Sequence, residues 1–300
     1  MRYWRLDVAD IYRSQAGEEA VRAMYRAALQ RWPVPYRQVV VNTREGETSV
    51  IVSGDSDATP LVLLHGAGTN SMGWIRDVAE WSQHYCVYAI DTIGEPGMSA
   101  PSRPPLASDR YATWLDDVWS YFGIERTSVV GISLGGWLAV DYAVRHPEKV
   151  ISLSLLSPAG IGGQDVATLL KLGLLRMCGT WGLRKSFALV AGRQVPKALS
   201  DAITTVFKHV RPRRERIPIR TDEELARLEM PVQLILGGRD VMLRSQETRQ
   251  RMERLVRQLQ VIYLNNEGHI LPPQTRVVLE FLKATTTENR PRALTVAASL

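Results

Sequence analysis

The order of strand and helix patterns is the strongest constraint that this sequence places on a fold. Short apolar runs such as LVLLH (61–65), CVYAI (86–90) and VISLSLL (150–156) predict strands that are buried on both faces. Segments with helical periodicity lie between them, for example residues 108–124. The alternation predicts an α/β fold with a mostly parallel, doubly wound sheet that helices cover on both faces.

This alternation stops in the middle of the chain and then resumes. Residues 158–220 show only helical or irregular patterns, without a run typical of a buried strand. We therefore predict a core formed by residues 1–157, which begin with a helix and a strand hairpin, and by residues 221–284. A helical cap at 158–220 interrupts this core, and residues 285–300 are predicted to form a flexible tail because they lack periodicity.

Composition limits the class of protein. The 300 residues are 45% hydrophobic and 23% charged, as in ordinary globular domains, and the net charge is +6. The N-terminal residues lack the apolar region of a secretory signal, and no run approaches the length of a membrane span. We expect a soluble, cytoplasmic protein with no membrane span and no nucleic-acid partner, since no nucleic-acid-reading motif is present. The oligomeric state stays open.

Neither a metal nor an organic cofactor is expected. Cys86 and Cys178 are far apart and lack the spacing of a metal or redox site, so both are interpreted as free thiols. The chain has no cluster of His, Cys, Asp and Glu with metal-ligand spacing. It also has no glycine-rich loop of the dinucleotide-binding or P-loop type.

One strand-to-helix turn places a serine among glycines. The sequence Gly131-Ile132-Ser133-Leu134-Gly135 is a G-x-S-x-G motif with a strand pattern before it and a helix pattern after it. In such a nucleophile elbow the serine backbone is strained, and the positions two before and two after it have no room for side chains. Ser133 is therefore the predicted nucleophile, with a plain glycine-rich turn as the alternative interpretation.

A serine hydroxyl also needs a base, and the base needs a carboxylate. Of the five histidines, His269 follows the last predicted strand, where loops of parallel sheets form sites. Asp240 follows the penultimate strand and is the predicted acid, with Asp165 as the alternative. The order Ser133, Asp240, His269 is the one expected for this architecture. His65 is interpreted as a brace for its own loop.

Acyl transfer further requires donors for an oxyanion. We predict the backbone N–H groups of Leu134 and of Ala67, which lies in the HGAG loop (65–68). Trp74, Trp137 and Met242 are expected to line a substrate pocket together with the cap. The cap supplies large apolar residues that would form its own core or this pocket: Leu169, Leu170, Leu172, Leu174, Leu175, Met177, Trp181, Phe187, Val190 and Phe207.

An arginine-rich run ends the predicted cap. The segment HVRPRRERIPIR carries Arg211, Arg213, Arg214, Arg216 and Arg220. It is interpreted as a solvated basic connector beside the acidic TDEE segment, because charge runs usually face water. The alternative is that these arginines attract an acidic or carrier-bound substrate.

Several segments together resemble α/β-hydrolases, in particular the carboxylesterase NP (naproxen-esterase) type. The resemblance extends over about residues 32–282 and rests on PLVLLHGAGTNSMGW, VYAIDTIGEPGMSAP, TDEELARLEMPVQLILGGRDV and NNEGHIL, together with the serine motif. It implies a Ser–acid–His triad and an oxyanion hole at the residues named above, as well as a helical cap. DTIGEPGMS (91–99) departs from the commoner D-x-x-G-x-G-x-S pattern, and the cap is the least similar part.

The predicted function is cofactor-free hydrolysis of a carboxylic ester through an acyl-enzyme on Ser133. The substrate is expected to be a small-molecule, largely apolar ester. Two alternatives stay open. The same triad could perform elimination, lactone chemistry or C–C bond cleavage in small-molecule metabolism, or the fold could serve as a non-catalytic binding protein.

Overall fold

The structure is a computed structural model that describes residues 11–288. Its strands are β1 (Tyr36–Thr43), β2 (Gly46–Ser53), β3 (Pro60–Leu64), β4 (Cys86–Ile90), β5 (Thr127–Ile132), β6 (Val150–Leu156), β7 (Val232–Gly237) and β8 (Leu259–Leu264). The α-helices are α1 (Gln15–Leu29), α2 (Val78–Trp81), α3 (Arg110–Phe122), α4 (Leu134–Arg145), α5 (Val166–Met177), α6 (Gly179–Ala191), α7 (Lys197–His209), α8 (Asp222–Leu225), α9 (Ser245–Leu255) and α10 (Thr275–Glu288).

The described strands form one sheet in the order β1-β2-β4-β3-β5-β6-β7-β8. The hairpin β1–β2 is antiparallel and joins β4 in antiparallel orientation, whereas all neighbours from β4 to β8 are parallel. The prediction of a mostly parallel α/β sheet is confirmed. Because the parallel strands share one direction, the loops after β3, β5, β7 and β8 lie at the same edge of the sheet.

Apolar side chains of a central strand pack on both faces of the sheet. Val62 and Leu64 of β3 belong to a cluster that includes side chains of α3 and α4. Leu61 and Leu63 point to the opposite face, where the cluster includes residues of α1, α2 and α10. Burial on both faces explains why β3 is apolar throughout, and it fixes the strand ends that position the site.

Residues 158–220, here called the inserted segment, contribute α5, α6 and α7 and no strand of the sheet. The N-terminal helix α1 contacts this segment, since Val21 of α1 packs with Val206 and Val210. Tyr25 and Leu29 of the same helix pack against the sheet. The first helix, which we assigned to the core, therefore bridges the core and the inserted segment.

The last helix is longer than predicted. Helix α10 ends at Glu288, so it extends into the segment that we predicted as a flexible tail from residue 285. Thr285 is buried within this helix, and the Thr285 and Thr286 hydroxyls donate to the carbonyls one turn earlier. The rest of the predicted tail, 289–300, lies outside the described residues. No helix within residues 11–288 is long and apolar enough to cross a bilayer.

Candidate active site

Ser133 occupies a strained turn between β5 and α4. Its φ of 51° and ψ of −109° are unusual for a residue with a side chain. Three backbone hydrogen bonds hold it: its N–H donates to the Leu156 carbonyl at 3.0 Å, and its carbonyl accepts from Trp137 and Ala159 at 3.0 and 3.1 Å. The surrounding structure thus enforces a conformation in which the serine side chain leaves the end of the sheet.

The flanking glycines are required by close approach of the backbone. A Cβ on Gly131 would lie 2.5 Å from the Gly135 carbonyl oxygen, and one on Gly135 would lie 2.0 Å from the Leu64 carbonyl oxygen. Both distances are far below van der Waals contact. The elbow geometry agrees with the interpretation of the G-x-S-x-G motif and excludes an ordinary turn.

His269 lies between Ser133 and Asp240. Its Nε2 is 3.0 Å from Ser133 Oγ, and its Nδ1 is 2.7 Å from Asp240 Oδ2. Because a carboxylate can only accept, Nδ1 carries the proton, and Nε2 is left as the acceptor for the serine hydroxyl. The backbone N–H of His269 donates to the carbonyl of Val190 in α6, at 3.0 Å, so the inserted segment helps to hold the histidine loop.

Asp240 is fixed by donors on both of its oxygens. Oδ1 accepts the backbone N–H groups of Met242 and Leu243 at 2.8 and 3.0 Å, while Oδ2 faces His269, and the side chain is 0% exposed. Asp165, the alternative acid, instead accepts the N–H of Ala167 at the start of α5. Its carboxylate is thus engaged at a helix terminus, and Asp240 is the residue that the structure brings to His269.

The two predicted oxyanion donors belong to elements that meet at Ser133. Leu134 is the first residue of α4, where N–H groups have no acceptor within the helix. Ala67 is exposed in the HGAG loop, and the Cβ position on the preceding Gly66 lies 3.6 Å from Ser133 Cβ. The HGAG loop is therefore adjacent to Ser133.

His65 braces this loop, as predicted. Its Nε2 accepts the backbone N–H of Thr92 at 2.9 Å, which leaves Nδ1 as the protonated nitrogen, 2.9 Å from the Gly66 carbonyl. The ring is buried, and both nitrogens have partners. It ties the HGAG loop to the loop after β4.

A second brace, Glu95, was missed by the sequence analysis. Its buried Oε2 accepts the N–H of Gly68 at 2.7 Å, and its Oε1 lies 3.6 Å from Nε of Arg213 in the inserted segment. Arg213 also donates to the Tyr111 hydroxyl at 2.6 Å. The only signal in the sequence was the departure of the segment 91–99 from the common pattern, which placed an acidic residue beside the HGAG loop.

The arginine run divides into buried and exposed members. Arg213 pairs with Glu95, and Arg220 donates to Asp141 at 2.5 Å while stacking on Trp137. Both therefore attach the inserted segment to the core, which corrects the interpretation of the whole run as solvated. The other three arginines are exposed: Arg211, Arg214 and Arg216.

The aromatic residues predicted to line a pocket are packed into the core. Trp74 is 1% exposed and stacks near Trp81, and Trp137 is 0% exposed with its Nε1 donating to the Pro218 carbonyl. Neither indole presents surface to an open space, which argues against the lining role we predicted for them. Met242 is half-buried and contributes its backbone N–H to Asp240.

The apolar residues of the inserted segment take different places. Leu172 is buried, whereas four side chains are exposed: Leu170, Leu174, Met177 and Trp181. Leu175 and Phe187 are half-buried, and the side chain of Leu169 lies outside the described part of the chain.

Two of these residues reach the site: the Val190 carbonyl accepts from His269, and Phe207 Cζ lies 3.3 Å from the Cβ position on Gly68.

Cys86 is buried and Cys178 is exposed, and both are free thiols, as interpreted from the sequence. Across residues 11–288, no three His, Cys, Asp or Glu side chains are grouped as metal ligands.

The mostly parallel sheet and the hydrogen-bonded Ser133, His269 and Asp240 together define the α/β-hydrolase class of protein.

Comparison with known proteins gives the family. The model of the alpha/beta hydrolase family matches residues 61–281, and the chain belongs to that family. It is 32% identical over 268 residues to a Bacillus subtilis protein named uncharacterized carboxylesterase nap, covering 82% of this chain and 85% of that protein.

Two solved structures from the same organism are also similar. Carboxylesterase CesB (YbfK) from Bacillus subtilis is 28% identical, with a TM-score of 0.80 over 90% of this chain and 99% of that one. Naproxen esterase (carboxylesterase NP) from Bacillus subtilis is 28% identical, with a TM-score of 0.77 over 92% and 98%. The resemblance stated from the sequence is confirmed.

Proposed function

We propose that this chain is a serine hydrolase that cleaves a carboxylic ester of a small molecule. The observation that carries the proposal is the continuous contact from Ser133 Oγ through His269 to Asp240, at 3.0 and 2.7 Å. The carboxylesterase names of its relatives support the same reaction.

The geometry suits a two-step acyl transfer. Ser133 Oγ attacks the ester carbonyl while His269 Nε2 takes its proton, and the resulting oxyanion would accept hydrogen bonds from the N–H groups of Ala67 and Leu134. His269 then protonates the leaving alcohol. Water attacks the acyl-enzyme, gives its proton to His269, and releases the acid, which restores Ser133.

Asp240 supports the charge that forms during these steps. Its buried carboxylate faces Nδ1 of His269 and stabilises the imidazolium that appears when Ser133 loses its proton. The N–H groups of Met242 and Leu243 fix its other oxygen, so the carboxylate cannot turn away from the histidine.

A serine-reactive probe and an ester panel test the proposal together. A fluorophosphonate should attach one label, which Ser133→Ala abolishes, and the same variant should lower kcat for p-nitrophenyl esters by about 10⁶. Ser157→Ala is the matched control, because Ser157 also has a positive φ, 43°, but is buried at the end of β6. It should keep the label.

The remaining outcomes separate the alternatives. Labelling that survives in Ser133→Ala would contradict the assigned nucleophile. Labelling of Ser133 without turnover of any ester would favour elimination, lactone chemistry or C–C cleavage instead. We expect activity to be unchanged by EDTA, and loss on chelation would contradict a cofactor-free reaction.

The cytoplasmic location predicted from the sequence stays a prediction, which cell fractionation would test.

A further inference from the structure

Arg176, in the last turn of α5, is a partly buried cation for which residues 11–288 supply no counter-charge. Its Nε is shielded from solvent and has no hydrogen-bond partner, and none of the acidic side chains in residues 11–288 forms an ion pair with it. Burial alone lowers the pKa of its guanidinium from the ordinary value. A guanidinium nevertheless stays charged near neutral pH, so the charge is uncompensated.

Three other arginines of the inserted segment are paired, and two of them, Arg213 and Arg220, are buried as side chains. Arg184 donates to Asp201 at 2.7 Å, Arg213 lies against Glu95, and Arg220 donates to Asp141. Removing a charge from water without a partner is costly, so proteins generally pair such groups. The contrast leaves Arg176 open to a partner that residues 11–288 do not supply.

The position of Arg176 relates it to the candidate active site. Its guanidinium carbon lies 4.4 Å from the ring centroid of Phe207 in α7. The Cζ of that same ring lies 3.3 Å from the Cβ position on Gly68, the residue after Ala67. Arg176 is therefore separated from the predicted oxyanion loop by a single aromatic ring.

We propose that Arg176 binds the carboxylate of a carboxylate-bearing ester, such as a half-ester of a dicarboxylic acid, and so determines substrate specificity. This inference rests on the proposed ester hydrolysis. A planar guanidinium suits a carboxylate because two parallel N–H donors match its two oxygens. Stacking on Phe207 holds the guanidinium plane in place before the ligand arrives.

A purely structural role is the competing explanation. Arg176 stands at the C-terminal end of α5, where a positive charge is favoured by the helix dipole. In that case its replacement would affect all substrates alike. A pair of substrates that differ only in charge separates the two roles.

The test compares 4-nitrophenyl hydrogen glutarate with its neutral analogue 4-nitrophenyl 5-methylhexanoate. Arg176→Met keeps an unbranched chain beside Phe207 and removes the charge. We expect the ratio of kcat/KM for the charged ester to that for the neutral ester to fall about 10- to 100-fold, mainly through KM. Arg176→Lys should restore part of the ratio, and the control Arg184→Met should leave it unchanged.

Binding measured without turnover separates this inference from the proposed function. Glutarate should bind to Ser133→Ala in a calorimeter, with a Kd that rises about tenfold or more when Arg176→Met is added. If no ester is hydrolysed but this difference is found, Arg176 is a carboxylate-binding residue and the proposed reaction fails. An unchanged substrate ratio with active enzyme, or equal glutarate binding with and without Arg176, would overturn the inference.

Discussion

The catalytic edge of the sheet and the inserted segment are built in different ways. At the edge, the backbone of Ser133 is held by three hydrogen bonds and both oxygens of Asp240 have donors. In the inserted segment, α5 presents Leu170, Leu174 and Met177 to solvent, the last 83% exposed. The edge fixes the chemistry through close backbone contacts, whereas the inserted segment acts through a few side chains that touch it.

Those few contacts are placed on the loops that carry the site. The inserted segment reaches the histidine loop through the Val190 carbonyl, the HGAG loop through Phe207, and the loop after β4 through Arg213. We infer that the inserted segment modulates a site that the core assembles. Substitutions at the edge should then have the largest effects, and those in the helices of the inserted segment the smallest.

The two candidate acids give the sharpest form of this comparison. Asp240→Asn should lower kcat by about 10⁴, because an amide at this position favours the wrong tautomer of His269. Asp165→Asn, at the start of α5 in the inserted segment, should change kcat less than about twofold, since an asparagine caps a helix nearly as well. Steady-state kinetics on one p-nitrophenyl ester measures both, with circular dichroism as the folding control.

The reverse pattern would assign the acid to Asp165 and contradict the geometry. The pKa of the Asp165 carboxyl is held below its ordinary value, first by the hydrogen bond from the Thr168 hydroxyl. A lowered pKa stabilises the folded state above the unfolded-state pKa, and this stabilisation is lost as the pH falls through the folded-state value. In Asp165→Asn the stability of α5 should therefore depend less on pH in acid. The pH profile of catalysis should not change.

The stability of the catalytic edge can be tested in the same way with a glycine substitution. Gly135→Ala would place a Cβ 2.0 Å from the Leu64 carbonyl oxygen, a backbone atom of the central strand β3 that cannot move without disturbing the sheet. We expect the free energy of unfolding to fall by about 3 kcal/mol or more, measured by urea denaturation. A loss below about 1 kcal/mol would show that α4 shifts easily, and the close approach would then not be what requires glycine.

The sequence was informative where local geometry limits the choice of residue. Ser133 could be predicted because a strand, two glycines and a helix surround it, and Asp240 and His269 because each lies in the loop that follows a strand. Glu95 could not be identified, because only the fold brings it to Gly68 and Arg213. Arg176 could not be singled out, because its burial without a partner is a property of the fold and not of the sequence around it. Trp74 and Trp137 were assigned to a pocket from composition, but their size makes them core residues once the sheet is covered.

Glu95 tests how far the core depends on its contact with the inserted segment. Glu95→Gln keeps an acceptor for Gly68 but removes the charge opposite Arg213, so the HGAG loop should lose rigidity. We expect kcat to fall about tenfold, less than the 10²–10³ for removing an oxyanion donor, with little change in KM.

Glu215→Gln is the matched control for Glu95, because Glu215 also contacts Arg213 but not Gly68. Its kcat should stay within about twofold of the unmodified protein, because Glu215 is partly exposed and does not contact the HGAG loop through Gly68. Equal losses in the two variants would mean that Arg213 matters for folding alone and that Glu95 does not position the loop.

The smallest effect is expected from Gly173→Ala, in the middle of α5. Apart from its chain neighbours and the backbone of its own helix, no atom lies within 4 Å of the added Cβ, and alanine is favoured over glycine inside a helix by about 0.5–1 kcal/mol. Leu170, Leu174 and Met177 of α5 are exposed, so we expect this helix to open without the sheet. The gain should then appear as slower amide exchange within α5. The midpoint of global thermal unfolding should not change. A raised midpoint, together with equal slowing of amide exchange in α5 and in β5, would show that the inserted segment unfolds together with the core. The two regions would then differ in how they contact the site but not in stability.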